Sequence, residues 1–393
     1  MVIVYPGHAR GTEVRSFFFF GSLPFFRVLL HFPSKSTIME KTGKESAFME
    51  VREFGVLPDG TPVQSYTFGS STLQATVLTY GGALQKLCFR GTDIICGFDT
   101  LGDYLNHSGC QGALIGRYAN RIAGGSYSWG GKAVTLPVNE PDRGNCLHGG
   151  SGFHTKVWEA EPVTGESGEG LILSRISPDG EDGFPGTVAV SVSYLILDTC
   201  LYLHYLAKSD ADTAFNMTNH SYFNMNGFGS GPIDTQTLQL FADRMSVVNS
   251  SLIPVGTQSV EGTPFDFQSP KALSPDLLNG SDPQMILGNG LDHNFYLSGD
   301  ESVALAGTEL NCAAVLSGTA GRLTVCTDLP CIQVYSANFM NGPEPMKVGI
   351  PQKPRHAICL ETQFAPDSPN RGEAILRAGE LFDSTTAFCF ESI

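Results

Sequence analysis

From about residue 50 onward, apolar residues alternate with polar ones, and this pattern restricts the fold more than any other feature of the sequence. The alternation runs through residues 73–79 and is cleanest over residues 188–194, and a period of two is typical of strands with one buried face. Turn-forming pairs such as Asp59-Gly60, Gly130-Gly131 and Asn341-Gly342 separate these stretches. Helical character is confined to short stretches near residues 101–105 and 273–278. The sequence therefore predicts an all-β fold, one large sandwich with few short helices over residues 49–393.

The first 48 residues differ from the rest of the chain. Phenylalanines 17–20 and the apolar residues that follow form a segment like the core of a signal peptide, but Pro24 and Arg27 interrupt it. The segment is too short and too broken for a membrane span. We interpret residues 1–48 as a non-core extension, either targeting or spurious. We expect a cytoplasmic protein, and secretory targeting by residues 1–48 stays open as the alternative.

The charge balance excludes some classes of partner. The chain has 24 basic and 39 acidic residues, a formal net charge of -15, whereas nucleic acids and anionic lipids attract clustered Lys and Arg. We therefore expect no nucleic-acid partner and no membrane partner for the core domain. A neutral or cationic small molecule fits the charge better, and we expect the protein to be a monomer.

The cysteines and the absence of several sequence motifs limit the chemistry. The ten cysteines are scattered, without a CxxC pair or a zinc-like spacing with histidine, so we expect reduced thiols in the core and no metal site. The sequence contains no glycine-rich nucleotide-binding loop, no GxSxG elbow and no HExxH motif. The functions that remain are acid/base catalysis without a cofactor and ligand binding without catalysis.

Two histidines stand in polar surroundings. His220 lies in the segment Thr218-Asn219-His220-Ser221-Tyr222-Phe223-Asn224, where hydrogen-bonding groups and aromatic rings are mixed. His148 precedes two glycines, which allow a ligand to approach the backbone closely. Taken alone, His220 could be a buried core histidine and His148 a loop residue without a role. A metal site formed by His148 and His154 lacks an acidic or cysteine partner at a useful spacing.

Five further polar residues sit at the ends of apolar runs or inside them. Asn120 and Arg121 follow a buried strand and offer donors to hydroxyl oxygens. Asp292 can accept hydrogen bonds from two hydroxyl groups at once, and Gln333 interrupts a strand. Glu361 ends a strand, where desolvation would raise its pKa toward the range of a general base. Each also has a structural interpretation, as a turn, an ion pair or a solvated strand position.

Together these segments resemble the galactose mutarotase (aldose 1-epimerase) family over roughly residues 50–393. The resemblance is specific because the family's motifs occur in the family's order. They are Gly116–Ile122, Leu147-His148-Gly149-Gly150, Ser177–Gly186, Thr218–Asn224, Leu291-Asp292-His293-Asn294-Phe295 and Leu360-Glu361-Thr362-Gln363. The resemblance implies a β-supersandwich that interconverts the α and β anomers of free hexoses, with no metal or organic cofactor.

The resemblance also implies a role for each candidate residue. Glu361 would be the general base on the anomeric hydroxyl, His220 the general acid on the ring oxygen, and His148 would assist at one of these oxygens. Four residues would hold the sugar hydroxyls: Asn120, Arg121, Asp292 and Gln333. Two alternatives remain open, namely a hexose-6-phosphate epimerase, which would need a basic cluster for the phosphate, and a catalytically silent sugar-binding protein.

Overall fold

The computed structural model describes residues 48–107, 109–165 and 168–393. Nearly all regular structure in these residues is extended, which confirms the all-β prediction. The predicted extension over residues 1–48 lies outside them except for its last residue, which begins the first strand. In chain order the strands are β1 (Phe48–Val56), β2 (Pro62–Gly69), β3 (Leu73–Leu78), β4 (Leu84–Phe89), β5 (Thr92–Asp93), β6 (Leu114–Ile115), β7 (Arg121–Ile122), β8 (Ser126–Trp129), β9 (Lys132–Thr135), β10 (Cys146–Leu147), β11 (Glu159–Gly165), β12 (Gly168–Ser177), β13 (Val188–Leu197), β14 (Cys200–Ser209), β15 (Thr213–Ala214), β16 (Thr218–Asn219), β17 (Tyr222–Phe223), β18 (Thr237–Leu240), β19 (Ala242–Val248), β20 (Pro254–Ser259), β21 (Lys271–Ala272), β22 (Asp292–Leu297), β23 (Ser302–Leu305), β24 (Thr308–Gly318), β25 (Gly321–Thr327), β26 (Cys331–Tyr335), β27 (Ile358–Gln363), β28 (Ile375–Leu376) and β29 (Leu381–Glu391).

The helices are short. They are α1 (Leu101–Asn106), α2 (Pro275–Leu278) and α3 (Pro283–Gly288), with 3-10 turns at Ala123–Gly125, Phe153–Thr155, Glu181–Gly183, Lys347–Gly349 and Ser368–Arg371. The first two helices lie in the stretches where the sequence predicted helical character. The third was not predicted, although Asp282 caps its N-terminus and Pro283 opens its first turn, which are the usual signals of a helix start. None of the helices among the described residues is long and apolar enough to cross a membrane.

Antiparallel sheets of five, ten and six strands form most of the described part of the chain. The five-stranded sheet runs β1-β2-β3-β4-β5, and the six-stranded sheet runs β17-β27-β26-β22-β19-β20. The ten-stranded sheet runs β11-β12-β13-β14-β29-β25-β24-β18-β21, with β23 beside β24. One large apolar cluster draws residues from all of these sheets, among them Phe68, Tyr194 and Phe295. Burying such side chains stabilises the fold by about 1.5–3 kcal/mol each.

The turn predicted at Gly130-Gly131 is present in the backbone as a tight hairpin. Gly130 and Gly131 connect β8 to β9 with φ angles of 57° and 76°. A two-residue turn of this type requires positive φ at both positions, which glycine adopts without the steric penalty that a side chain would add. The predicted pair therefore closes the hairpin directly.

The expectation that all cysteines are reduced is wrong for one pair. A disulfide joins Cys200 to Cys389, which oppose each other across the adjacent strands β14 and β29. The remaining eight cysteines are thiols. The two bonded residues are 189 positions apart in the sequence, so their pairing depends on which distant strands become neighbours, and local spacing carries no signal of that.

Candidate active site

A cavity of about 340 Å³ opens beside the six-stranded sheet. It is lined by all seven residues that the sequence analysis selected, brought together from separate segments of the chain. They are Asn120, Arg121, His148, His220, Asp292, Gln333 and Glu361. Each is at least nine-tenths buried apart from His148, which is half-buried, so these polar groups lie below the surface and line an open cavity.

Glu361 lies on β27 and faces into the cavity. Its strand pairs with β26 so that Glu361 is opposite Gln333. The carboxyl group is 2% exposed, and its Oε2 atom has no hydrogen-bond partner among the described residues. Burial raises the pKa of Glu361 well above its ordinary value, Asp292 raises it further, and Arg121 partly offsets the shift. Glu361 is therefore a carboxyl group that holds its proton more tightly than an exposed one and is a stronger base when ionised.

His220 stands between β16 and β17, and its backbone is fixed by hydrogen bonds to the segment before β6. Its N–H donates to Ala113, and its carbonyl accepts from Gly112. The imidazole stacks on Tyr222 at 5.0 Å and places Nε2 3.7 Å from Oε1 of Glu361. Burial lowers the pKa of His220 to about 4. The structure thus brings the predicted acid and the predicted base to one end of the cavity.

His148 belongs to a tight turn after β10. Its φ angle is 54°, and its N–H donates to the carbonyl of Asn120. The main-chain N–H of Asn120 in turn donates to Nδ1 of His148 at 3.2 Å. Burial, with the nearby His220, lowers the pKa of His148 well below its ordinary value, so the ring is neutral. Because Nδ1 accepts, the ring proton lies on Nε2, and His148 is a hydrogen-bond donor from that atom.

Arg121 is held by a carboxylate that the sequence analysis did not select. Its Nε and Nη2 atoms donate to Glu140 at 3.0 and 3.1 Å, and Nη2 is 3.8 Å from Oδ2 of Asp292. Burial opposes the guanidinium charge, but Asp292 and Glu140 outweigh it and raise the pKa of Arg121. Asn145 also donates to Glu140. The guanidinium is therefore fixed in orientation and permanently charged.

Asp292 and Gln333 line the cavity beside Arg121. Nε2 of Gln333 donates to Oδ1 of Asp292 at 2.7 Å, and Oε1 of Gln333 has no partner among the described residues. A buried polar atom without a partner costs about 1–3 kcal/mol unless a ligand or water satisfies it. Together with Oε2 of Glu361, this atom leaves the cavity with acceptors suited to the hydroxyl groups of a ligand.

The segment Ser177–Gly186, one of the motifs shared with the family, holds the buried side chain of Arg117. The buried guanidinium of Arg117 donates to the hydroxyl and carbonyl of Ser177 and to the carbonyls of Pro178 and Pro185. This anchors the segment that carries Asn120 and Arg121. These contacts give the turn a structural role.

Sequence reasoning missed three residues of the site. Glu140 stands in a Pro- and Asn-rich loop and has the pattern of a solvated carboxylate, and only its contact with Arg121 reveals its place. Tyr335 lies near His220, with ring centroids 6.3 Å apart. Cys359 looked like a core thiol, but its Sγ is 3.5 Å from Nδ1 of His220. Since side chains two residues apart on a strand share a face, Cys359 could have been grouped with Glu361 from the sequence.

Comparisons with known proteins show the family of the chain. Residues 64–389 match the model of the aldose 1-epimerase family. The chain is 37% identical to mouse (Mus musculus) galactose mutarotase over 350 residues, 86% of this chain and 97% of the relative. It is 32% identical to an aldose 1-epimerase of Escherichia coli, over 85% of this chain and 96% of the relative.

A solved structure shares the fold over nearly its full length. The crystal structure of galactose 1-epimerase from Lactobacillus acidophilus superimposes with a TM-score of 0.78 at 30% identity, covering 88% of this chain and 99% of that one. The family model matches most of the chain, the relatives align over nearly their full length, and the solved structure shares the fold. This chain belongs to the aldose 1-epimerase family.

Proposed function

We propose that this protein is a mutarotase, an isomerase that interconverts the α and β anomers of free hexoses such as galactose and glucose. The observation that carries the proposal is the pair formed by Glu361 and His220, 3.7 Å apart at the end of a chamber lined with hydroxyl-binding groups. Ring opening needs a base at the anomeric hydroxyl and an acid at the ring oxygen of the same carbon. This pair supplies one of each.

The reaction proceeds by two coupled proton transfers. Glu361 removes the proton from O1 while His220 delivers one to O5, so the C1–O5 bond breaks and C1 becomes an aldehyde. Rotation about C1–C2 turns the other face of the aldehyde toward O5. Reversal of both transfers closes the ring as the opposite anomer, and no covalent intermediate or cofactor takes part.

The remaining residues orient the sugar. His148 donates a hydrogen bond from Nε2 to the ring oxygen or the anomeric oxygen. This bond stabilises the negative charge that develops on that oxygen during the reaction. Arg121 and Asn120 donate to sugar hydroxyls, whereas Asp292 and the free Oε1 of Gln333 accept from them. The cavity thus offers both donors and acceptors to a neutral polyol.

The electrostatics of the cavity favour a free sugar over a phosphorylated one. The arginines among its described lining residues are Arg121 and Arg143, and both are paired with Glu140. A phosphate would need cations not already matched by carboxylates. Glucose 6-phosphate should therefore not compete with galactose, and effective competition would support the phosphate-epimerase alternative.

Polarimetry on freshly dissolved α-galactose and α-glucose tests the function. The protein should accelerate the change in optical rotation well beyond the spontaneous rate for at least one of these sugars. Sugar binding in calorimetry without acceleration would instead identify a silent sugar-binding protein, for which neither a buried base nor an acid is required.

The proposal includes the setting of the enzyme. We infer a monomeric cytoplasmic protein that binds a monosaccharide and no nucleic acid, in keeping with the net charge of -15. We further propose that residues 1–48 are an extension outside the catalytic domain at 49–393. Sedimentation analysis, cell fractionation and mass spectrometry of the native N-terminus would each test one of these statements.

A further inference from the structure

Three buried side chains of different chemistry meet at the end of the cavity. Potential ligand atoms of His220, Cys359 and Glu361 all lie within 4.8 Å of one another. Cys359 and Glu361 project from the same face of β27, and His220 comes from the segment between β16 and β17. We propose that these residues form a binding site for a thiophilic divalent cation, with Zn²⁺ as the best match, and that the bound ion inhibits the enzyme.

The three ligand atoms lie within 4.8 Å of one another, so a tetrahedral ion requires side-chain movement that brings them closer. Zinc–ligand bonds of about 2.0–2.3 Å at tetrahedral angles place ligand atoms roughly 3.3–3.6 Å apart. Sγ of Cys359 is 3.5 Å from Nδ1 of His220, and Nε2 of His220 is 3.7 Å from Oε1 of Glu361. The ion would use only one of the two imidazole nitrogens. One of these distances therefore applies to the ion-bound site, and the third ligand must approach by a change of side-chain conformation.

The donor set selects the class of metal. A thiolate, an imidazole and a carboxylate together are typical ligands of Zn²⁺ and Co²⁺, whereas Mg²⁺ and Ca²⁺ prefer oxygen ligands alone. Three protein ligands leave a fourth position, which the cavity of about 340 Å³ can fill with water.

A second observation points to a ligand at this place. Glu361 is only 2% exposed, yet its Oε2 has no hydrogen-bond partner among the described residues. An unsatisfied carboxyl oxygen inside a protein is costly. A cation would satisfy it, and binding would release the protons of the Glu361 carboxyl group and the Cys359 thiol to solvent. This site is not the His148–His154 pair considered from the sequence. Its ligands come from segments 139 residues apart, which the fold brings together.

Inhibition follows from the identity of the ligands. An ion bound there occupies the lone pairs of the proposed base and the proposed acid, so neither can exchange a proton with sugar. Held between the proposed base and the proposed acid, it would also block the approach of O1 and O5 of the sugar to these groups. The ion and the sugar should therefore exclude each other. This competition rests on the proposed function, whereas the binding of the ion does not.

Cobalt absorption tests binding without any turnover. Metal-free protein titrated with Co²⁺ should develop the near-ultraviolet band of a thiolate–cobalt bond, and Cys359→Ala should lose the part of the band that Cys359 contributes. Cys96→Ala is the matched control, because Cys96 is another fully buried thiol of the same apolar cluster and should keep the band. An unchanged band in Cys359→Ala would overturn the proposal.

Inhibition by Zn²⁺ tests the consequence. In wild type and Cys96→Ala, inhibition should be competitive with galactose. Half-inhibition of Cys359→Ala, measured against its own metal-free rate, should need at least about tenfold more Zn²⁺, since loss of even an outer partner of a metal ligand costs 10–100-fold in affinity. Equal sensitivity of the variants, or inhibition that galactose does not relieve, would refute the site.

A measurement on the wild type alone covers the case in which Cys359→Ala fails to fold. Saturating galactose should remove the cobalt band, and persistence of the full band would contradict a shared site. If the metal-free protein has no mutarotase activity while the band still depends on Cys359, the proposed function fails and the metal site stands.

Discussion

Replacing Glu361 by glutamine should remove the base and leave the shape of the site. Glutamine has nearly the same volume, and the position stays paired with Gln333 on the neighbouring strand, so the cavity keeps its walls. A positioned general base contributes about 10²–10⁴-fold to a rate, which corresponds to about 2.7–5.4 kcal/mol of activation free energy. We expect kcat to fall by this factor while KM changes little.

Combining the Glu361 variant with a variant of His220 tests whether the two groups act in one step. His220→Asn should lower kcat by a similar factor, because the acid acts in the same step as the base. The contact of 3.7 Å between these groups makes them one unit. For that reason the double variant should be about as slow as the slower single variant, not slower by the product of the two factors, since residues that act as a unit are strongly non-additive.

Polarimetry on fresh α-galactose, corrected for the spontaneous rate, measures all three variants. Glu391→Gln serves as the matched control, because this exposed carboxylate on β29 pairs with Arg322 away from the cavity. It should keep the wild-type rate, and thermal melting should show that every variant is folded. Normal turnover in Glu361→Gln would refute the base assignment, and a multiplicative loss in the double variant would refute the coupled step.

Three further results are expected. In Asp292→Asn, the basic limb of the pH profile of kcat/KM should move to lower pH, because removing this negative charge lowers the raised pKa of the catalytic carboxyl. Glu140→Gln should raise KM for galactose about tenfold with little change in kcat, since Arg121 loses the charge-assisted bonds that orient it. Cys389→Ala should lower the free energy of unfolding in urea by about 2–5 kcal/mol by releasing Cys200, and the difference from wild type should vanish in reductant.

The parts of the fold that could be predicted from sequence are those with local causes. Alternation over residues 188–194 corresponds to β13, and Gly130-Gly131 turns where two positive φ angles are needed. Residues 73–79 correspond to β3, although this strand is buried on both faces over most of its length, so its apparent alternation does not mark a solvent side. Which strands become neighbours depends on the whole chain, and so did the Cys200–Cys389 bond.

The site shows the same division. The seven selected residues are polar side chains at strand ends or glycine-containing turns, which is why the sequence pointed to each of them. The resemblance to a family supplied their grouping into one site. Glu140 could not be found in this way, because its function is to hold Arg121 and its own sequence surroundings are those of a surface loop. Cys359 was hidden for the opposite reason, since a thiol in an apolar run is ordinarily core.

Burial shifts the two proposed proton carriers in directions that fit their reaction. It raises the pKa of Glu361 and lowers that of His220 to about 4, so between these values the pair holds one proton and both groups are neutral. The closed sugar reacts with an ionised carboxylate and an imidazolium, and ring opening returns both to the neutral forms that a low-dielectric site favours. Desolvation therefore favours ring opening from the ion-pair form of the closed complex, although the pair must first leave its neutral form to reach that state. Below about pH 4 the pair gains a second proton and the base is lost. Above the raised pKa of Glu361 it loses its only proton and the acid is lost, so kcat/KM should be bell-shaped with limits set by burial.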